Sequence, residues 1–81
     1  MASFDYLYKL PVDYLKIDGS FIKDINQDPV KEEMVKAMQN IATLMNLQTI
    51  AEYVETQEIG DKLKQIGIHY QQGYLISEPK L

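Results

Sequence analysis

The chain has 81 residues, 46% of them hydrophobic and 25% charged, a net charge of −4, eight basic side chains that are all lysine, and no cysteine. That length allows one domain at most and buries only about 60 to 65% of the unfolded surface, so its stability should be thin without a partner. The charge excludes the basic stripe of a duplex DNA or RNA binder, the missing cysteine excludes disulfides and thiolate metal sites, and the composition excludes a disordered chain.

In chain order, the pattern first predicts a short helix over 3–10, with Ser3 as its cap, Leu7 and Leu10 on one side and Pro11 stopping it. Residues 12–18 follow as a strand, by their β-branched and aromatic content, and Gly19-Ser20 breaks it. Asp28-Pro29 is the clearest helix start: an N-cap aspartate, a proline at the first helical position, and Glu32 and Glu33 near the positive end of the dipole. Val30, Met34, Ala37, Met38, Ile41 and Met45 then recur at helical spacing and predict one apolar stripe against the core, so the methionines read as packing residues. Asn46 is expected to end that helix in a left-handed conformation.

A second strand is expected over 47–54. Thr56 then caps a third helix whose buried side is Ile59, Leu63 and Ile66, with Gly67 as its C-terminal cap. Residues 68–74 give the third strand, with His69 as a loop residue just before it and not a ligand. The tyrosines Tyr6, Tyr8, Tyr14, Tyr53, Tyr70 and Tyr74 read mostly as packing residues with wet hydroxyls. Connections this long suit helical crossovers and not hairpins, so the fold class is α/β with about three parallel strands. The chain starts within a helix and stops just after a strand, as a piece of a larger domain would.

Residues two apart share a face of a strand, so Lys16 and Asp18 point together at the C-terminal end of the first strand. Thr49-Ile50-Ala51 leads into Glu52 towards the carboxyl end of the second strand, and Tyr70-Gln71 into Gln72 towards that of the third. In parallel sheets and (β/α) barrels, ligands sit at that end. The bland alternatives are an edge-strand charge for Lys16, a carboxylate near a helix start for Glu52 and an ordinary strand-end amide for Gln72.

Leu10-Pro11-Val12-Asp13-Tyr14-Leu15-Lys16-Ile17-Asp18-Gly19-Ser20-Phe21, then Ile50-Ala51-Glu52-Tyr53-Val54-Glu55-Thr56, then Gln72-Gly73-Tyr74-Leu75-Ile76 with Pro79 resemble the last third of an EAL domain, the bacterial cyclic di-GMP phosphodiesterase family. The resemblance implies that residues 1–81 are the C-terminal segment of a TIM-like barrel, a fold of about 250 residues. It implies that two divalent cations, Mg or Mn, hold cyclic di-GMP while water cleaves it to linear pGpG. It implies that Lys16 positions or deprotonates that water, that Glu52 ligates a metal, and that Gln72 hydrogen-bonds around the metal site. Asp18 and Glu55 fall on family positions too and are expected only to support, by orienting Lys16 or a neighbouring loop.

The departures from the family pattern are equally informative. The Glu-Ala-Leu signature, the asparagine and glutamate of the next strands and the Asp-Asp pair are absent, so most metal ligands are missing and the chain alone should be inactive. Tyr53 stands where the family often has glycine, which would narrow the approach beside Glu52 without removing a ligand. The competing expectation is a noncatalytic interaction or oligomerisation module, paired with copies of itself or with the missing barrel half. A cyclic di-GMP sensor that binds without cutting is weaker, because no arginine is present for bidentate phosphate contacts. No 18-residue apolar stretch and no secretory start are present, so the expected setting is soluble and cytoplasmic.

Overall fold

In a computed structural model of the protein, residues 13–73 are described. The expected helix over 3–10, the first residue of the expected first strand, and Tyr74, Leu75, Ile76 and Pro79 lie outside the described residues. The order of elements is β1 (Tyr14–Ile17), α1 (Gly19–Ile22), α2 (Pro29–Leu44), β2 (Gln48–Ala51), α3 (Gln57–Ile66) and β3 (Tyr70–Gln71). The strands form one sheet in the order β1-β2-β3, and both pairings are parallel.

Each long helix starts where its cap predicts. The Asp28 carboxylate accepts hydrogen bonds from the Val30 and Lys31 amides at 3.0 and 3.2 Å, filling donors that the first turn of α2 leaves free. The Thr56 hydroxyl does the same for α3, accepting from the Ile59 amide at 3.1 Å. Asn46 ends α2 at φ 59° and Gly67 ends α3 at φ 103°, the left-handed geometry of helix C-termini. Gly19-Ser20 does end β1, but the residues that follow form the single turn α1 that the sequence reading missed. Asp18 caps that turn and the Lys23 amide closes it on the Gly19 carbonyl at 2.9 Å.

The core lies between one face of the sheet and the helices. It is built from Ile17, Ile22, Ile25, Val35, Ala51, Val54, Ile59, Leu63 and Ile68, with Phe21, Met38 and Ile66 packed against it. Each fully buried aliphatic side chain contributes about 1.5–3 kcal/mol by leaving water.

Three polar side chains, Gln39, Thr49 and Gln71, are buried inside this layer with partners. The Thr49 hydroxyl donates to Gln39 Oε1 at 2.7 Å, and Gln71 Nε2 donates to the Gly60 carbonyl at 3.1 Å. Both contacts tie a strand to the helix that covers it.

The stripe expected to bury α2 is corrected. The helix meets the sheet through Val35, Gln39 and Ala42, while Val30, Met34, Ile41 and Met45 are exposed and Ala37 is exposed with them. Met38 is the member that packs against the core. The physical reason is that α2 carries two apolar faces. The shorter side chains, with Gln39 satisfied by Thr49, allow close approach to β2, and the longer methionine face is turned away.

Candidate functional site

The register fixes which side chains share a face. Lys16 lies opposite Ile50, and Ile50 opposite Tyr70. Two residues further on, the same face carries Asp18, Glu52 and Gln72, because side chains alternate along a strand. The backbone holds that last row together: the Glu52 amide donates to the Ile17 carbonyl at 3.1 Å, and the Gln72 amide to the Ala51 carbonyl at 2.9 Å. The opposite face carries Ile17, Thr49, Ala51 and Gln71, all buried under the helices. The C-terminal rim of the sheet thus brings together an exposed ammonium, Lys16, with a carboxylate and an amide, Glu52 and Gln72, that are each half-buried.

Asp18 leaves this row. Its carboxylate turns onto the Ser20 amide at 2.9 Å, and the hydrogen bonds from Ser20 hold its pKa below the usual aspartate range. Its contact is with the turn after β1. Glu55 is exposed and lines two clefts. The larger, about 520 Å³, also involves Asp24, Asn26, Gln27, Thr56, Glu58 and Ile59. Three carboxylates and no basic side chain make it a poor seat for a phosphate.

The smaller cleft, about 310 Å³, opens at the rim between the turns after β1 and β2, and Asp18, Gly19, Ser20, Lys23, Tyr53 and Glu55 line it. Tyr53 has φ 64° and is 62% exposed, so it is not among the tyrosines buried as packing residues. Its ring and Cβ lie where a side chain on residue 19 would stand, so glycine is required there. Sequence reasoning noticed the tyrosine beside Glu52, but only the left-handed backbone shows that its ring is lifted onto the rim.

His69 lies at the other end of the strands. Its Nδ1 accepts from the Thr49 amide at 3.1 Å and its own amide donates to the Thr49 hydroxyl at 3.0 Å. Both bonds are structural.

No three His, Cys, Asp or Glu side chains cluster as a metal site among the described residues. No helix among them is long and apolar enough to cross a membrane.

Comparisons with known proteins agree with this fold. A family model described as "EAL domain" matches residues 1–79. The chain is 48% identical over 79 residues to the cyclic di-GMP phosphodiesterase PdeB of Shewanella oneidensis, covering 98% of this chain and 9% of that protein. It is 40% identical over 78 residues to the cyclic di-GMP phosphodiesterase PdeL of Escherichia coli, covering 96% of this chain and 22% of that one.

Among solved structures, the EAL enzyme Bd1971 in its cAMP and cyclic di-GMP bound form superposes with TM-score 0.78 at 35% identity, over 98% of this chain and 21% of that one. The EAL domain of Mycobacterium smegmatis DcpA does so with TM-score 0.76 at 38% identity, over 96% and 35%. The chain therefore spans well under half of each of these relatives.

Proposed function

Because the chain belongs to the EAL domain family, we propose that residues 1–81 form the C-terminal segment of a bacterial cyclic di-GMP phosphodiesterase, whose complete barrel hydrolyses cyclic di-GMP to pGpG in the cytoplasm. The observation that carries this reading is the parallel register, which sets Lys16, Glu52 and Gln72 on one face at the C-terminal rim. Barrel enzymes assemble their chemistry at that end.

The roles follow from the chemistry of each group. Lys16, exposed at the rim, is a donor or proton acceptor for the attacking water. Glu52 offers the hard oxygen that Mg or Mn prefers. Gln72 offers both a donor and an acceptor to orient water around that carboxylate. Asp18 and Glu55 support the turns that frame the rim.

The donors among the described residues do not fit two divalent cations. Glu52 stands on the rim with one carboxylate, Asp18 is committed to the turn after β1, and no third ligand joins them among the described residues. The cation chemistry is assigned to the complete barrel, whose other strands would bring the remaining ligands. The isolated chain should then be inert. Purified chain incubated with cyclic di-GMP and Mg or Mn should yield no pGpG by chromatography, and product formation that tracks the purified chain would overturn this assignment.

A second reading, a noncatalytic interaction module, is favoured by one observation. Val30, Met34, Ile41, Leu44 and Met45 are exposed and lie at helical spacing on one side of α2. Self-association, or docking of the missing barrel half, would cover it.

A further inference from the structure

We propose that Tyr53 and Gly73 are positioning residues for the rim: together they build a bulge at the end of β2 that fixes Gln72 beside Glu52. This deepens the phosphodiesterase reading and rests on it for the reaction, but not for the hold on Gln72.

The hydrogen bonds locate the bulge. On the β1 side the register is regular as far as Glu52: the Gln48 and Glu52 amides, four residues apart, donate to the Asp13 and Ile17 carbonyls, also four apart, at 3.0 and 3.1 Å. On the β3 side the Gln72 amide donates to the Ala51 carbonyl at 2.9 Å. An evenly spaced parallel ladder would send the next bond from the amide of residue 53 to the Gln72 carbonyl. It comes instead from the Val54 amide, at 2.8 Å. One extra residue is therefore inserted, and Tyr53, at φ 64°, absorbs it.

Side-chain burial reports the same shift independently. Thr49 and Ala51 are buried under the helices, and alternation would send residue 53 to that face as well. Tyr53 is instead 62% exposed, and Val54, one residue later, takes the core position at 1%. Bulges are rare in parallel pairs and a bulky residue adopts a positive φ unwillingly. Ending a strand requires neither.

What the bulge secures is Gln72. β3 spans only Tyr70–Gln71, so Gln72 lies past the end of a two-residue strand, where backbone bonds open most readily. Both of its backbone groups are nevertheless bonded, the amide to Ala51 and the carbonyl to Val54. Gln71 before it is pinned on the other face by its Nε2 bond to the Gly60 carbonyl at 3.1 Å. Gly73 after it has no room for a side chain: a Cβ there would meet the Val54 carbonyl oxygen and stand 2.6 Å from the Val54 nitrogen. Glycine is what lets the bulge close onto β3. Glu52, bonded to Ile17, and Gln72, bonded to Val54, are thereby held in one frame.

The isotope-labelled chain reports the hold directly. Scalar coupling across the hydrogen bond should link the Gln72 carbonyl carbon to the Val54 nitrogen and not to the Tyr53 nitrogen. Tyr53→Pro, whose ring fixes φ at about −65°, should abolish that coupling and shift the Gln72 side-chain amide signals, and Gly73→Ala should do the same. Tyr53→Gly, which takes the left-handed angle freely, should keep the coupling.

The reaction is read in a completed barrel, with this chain joined to the remaining strands of a full-length relative. There Gly73→Ala and Tyr53→Pro should each lower kcat by about tenfold or more with KM for cyclic di-GMP held within about twofold, as loss of an oriented group does. Gly67→Ala is the control for stability alone, strained at φ 103° at the other end of β3, and its folded fraction should keep the parent kcat.

A coupling from Tyr53 in place of Val54, an unchanged kcat in Gly73→Ala or Tyr53→Pro, or an equal fall in Gly67→Ala would overturn the proposal. If one rim variant does not fold the other decides, and if neither folds the coupling in the unmutated chain decides. A completed barrel without turnover removes the phosphodiesterase reading by itself, while the coupling and its loss in Tyr53→Pro still decide whether the bulge holds Gln72.

Discussion

The Glu52 amide donates to the Ile17 carbonyl at 3.1 Å, so the rim carboxylate is anchored by backbone to the strand that carries Lys16. Its position is set by sheet register and not by a flexible loop. A single well-placed carboxylate is nevertheless a weak site for a hard cation, and ligand-induced stabilisation grows only with the logarithm of concentration over affinity. Millimolar Mg or Mn should therefore raise the melting temperature of the chain by less than about 2 °C, and removing metal with a chelator should change nothing. A rise of several degrees in a melting scan would mean that the chain holds a cation on its own.

Gly19 and Tyr53 form a second coupled pair. Gly19→Ala should cost about 1–3 kcal/mol in a urea titration, because the new methyl meets the Tyr53 ring and Cβ. Tyr53→Gly in the same molecule should recover most of that loss. Gly73→Ala has no such rescue, since a Cβ there would meet the Val54 backbone, including its carbonyl carbon at 2.7 Å. A Gly19→Ala variant as stable as the wild type, or one not rescued by the second change, would show that the ring is not held where described.

Acid sensitivity should come in part from Glu32. It accepts a hydrogen bond from Lys62 at 3.2 Å and pairs with Lys36 at 3.3 Å, and these contacts, the Lys62 bond foremost, hold its pKa below the usual glutamate range. A carboxyl lowered in the folded state contributes stability that is present above the unfolded pKa and lost as pH falls through the folded one. Glu32→Gln should flatten that acid limb of the stability curve, and added salt should weaken the effect for the wild type. Superimposable acid limbs for the two proteins would remove Glu32 from the account.

The exposed face of α2 predicts association. Light scattering over about a tenfold concentration range should show a mass that rises with concentration, and Ile41→Lys with Leu44→Glu should return it to the monomer without loss of stability, as both side chains are exposed. A monodisperse wild-type monomer would count against the interaction reading.

Much of this architecture is legible without coordinates because caps and breakers are local. Asp28-Pro29, Thr56 and Gly67 each fix a helix end by chemistry within a few residues, and the long connections force parallel pairing. The α2 stripe was misread because periodicity reports an apolar face but not which neighbour it meets. Val35, Gln39 and Ala42 look less hydrophobic than the methionine face, yet they are the residues that approach β2, with Gln39 paired to Thr49 inside the core. The turn α1 was missed since Gly19-Ser20 reads as a breaker, although Asp18 caps a helical turn across it. Lys16, Glu52 and Gln72 stood out because each sits at a strand end, whereas the prominence of Tyr53 depends on a backbone angle that no pattern of residues displays.

The most direct test is to complete the barrel. This chain should be exchanged for the matching segment of a full-length relative such as PdeL of Escherichia coli, and pGpG release from cyclic di-GMP measured for the chimera and for its Lys16→Met and Glu52→Gln variants. We predict turnover by the chimera and its loss in both variants, with the fold retained by circular dichroism. A folded chimera that releases no product, or variants that cleave as well as their parent, would contradict the assignment of these rim groups to catalysis.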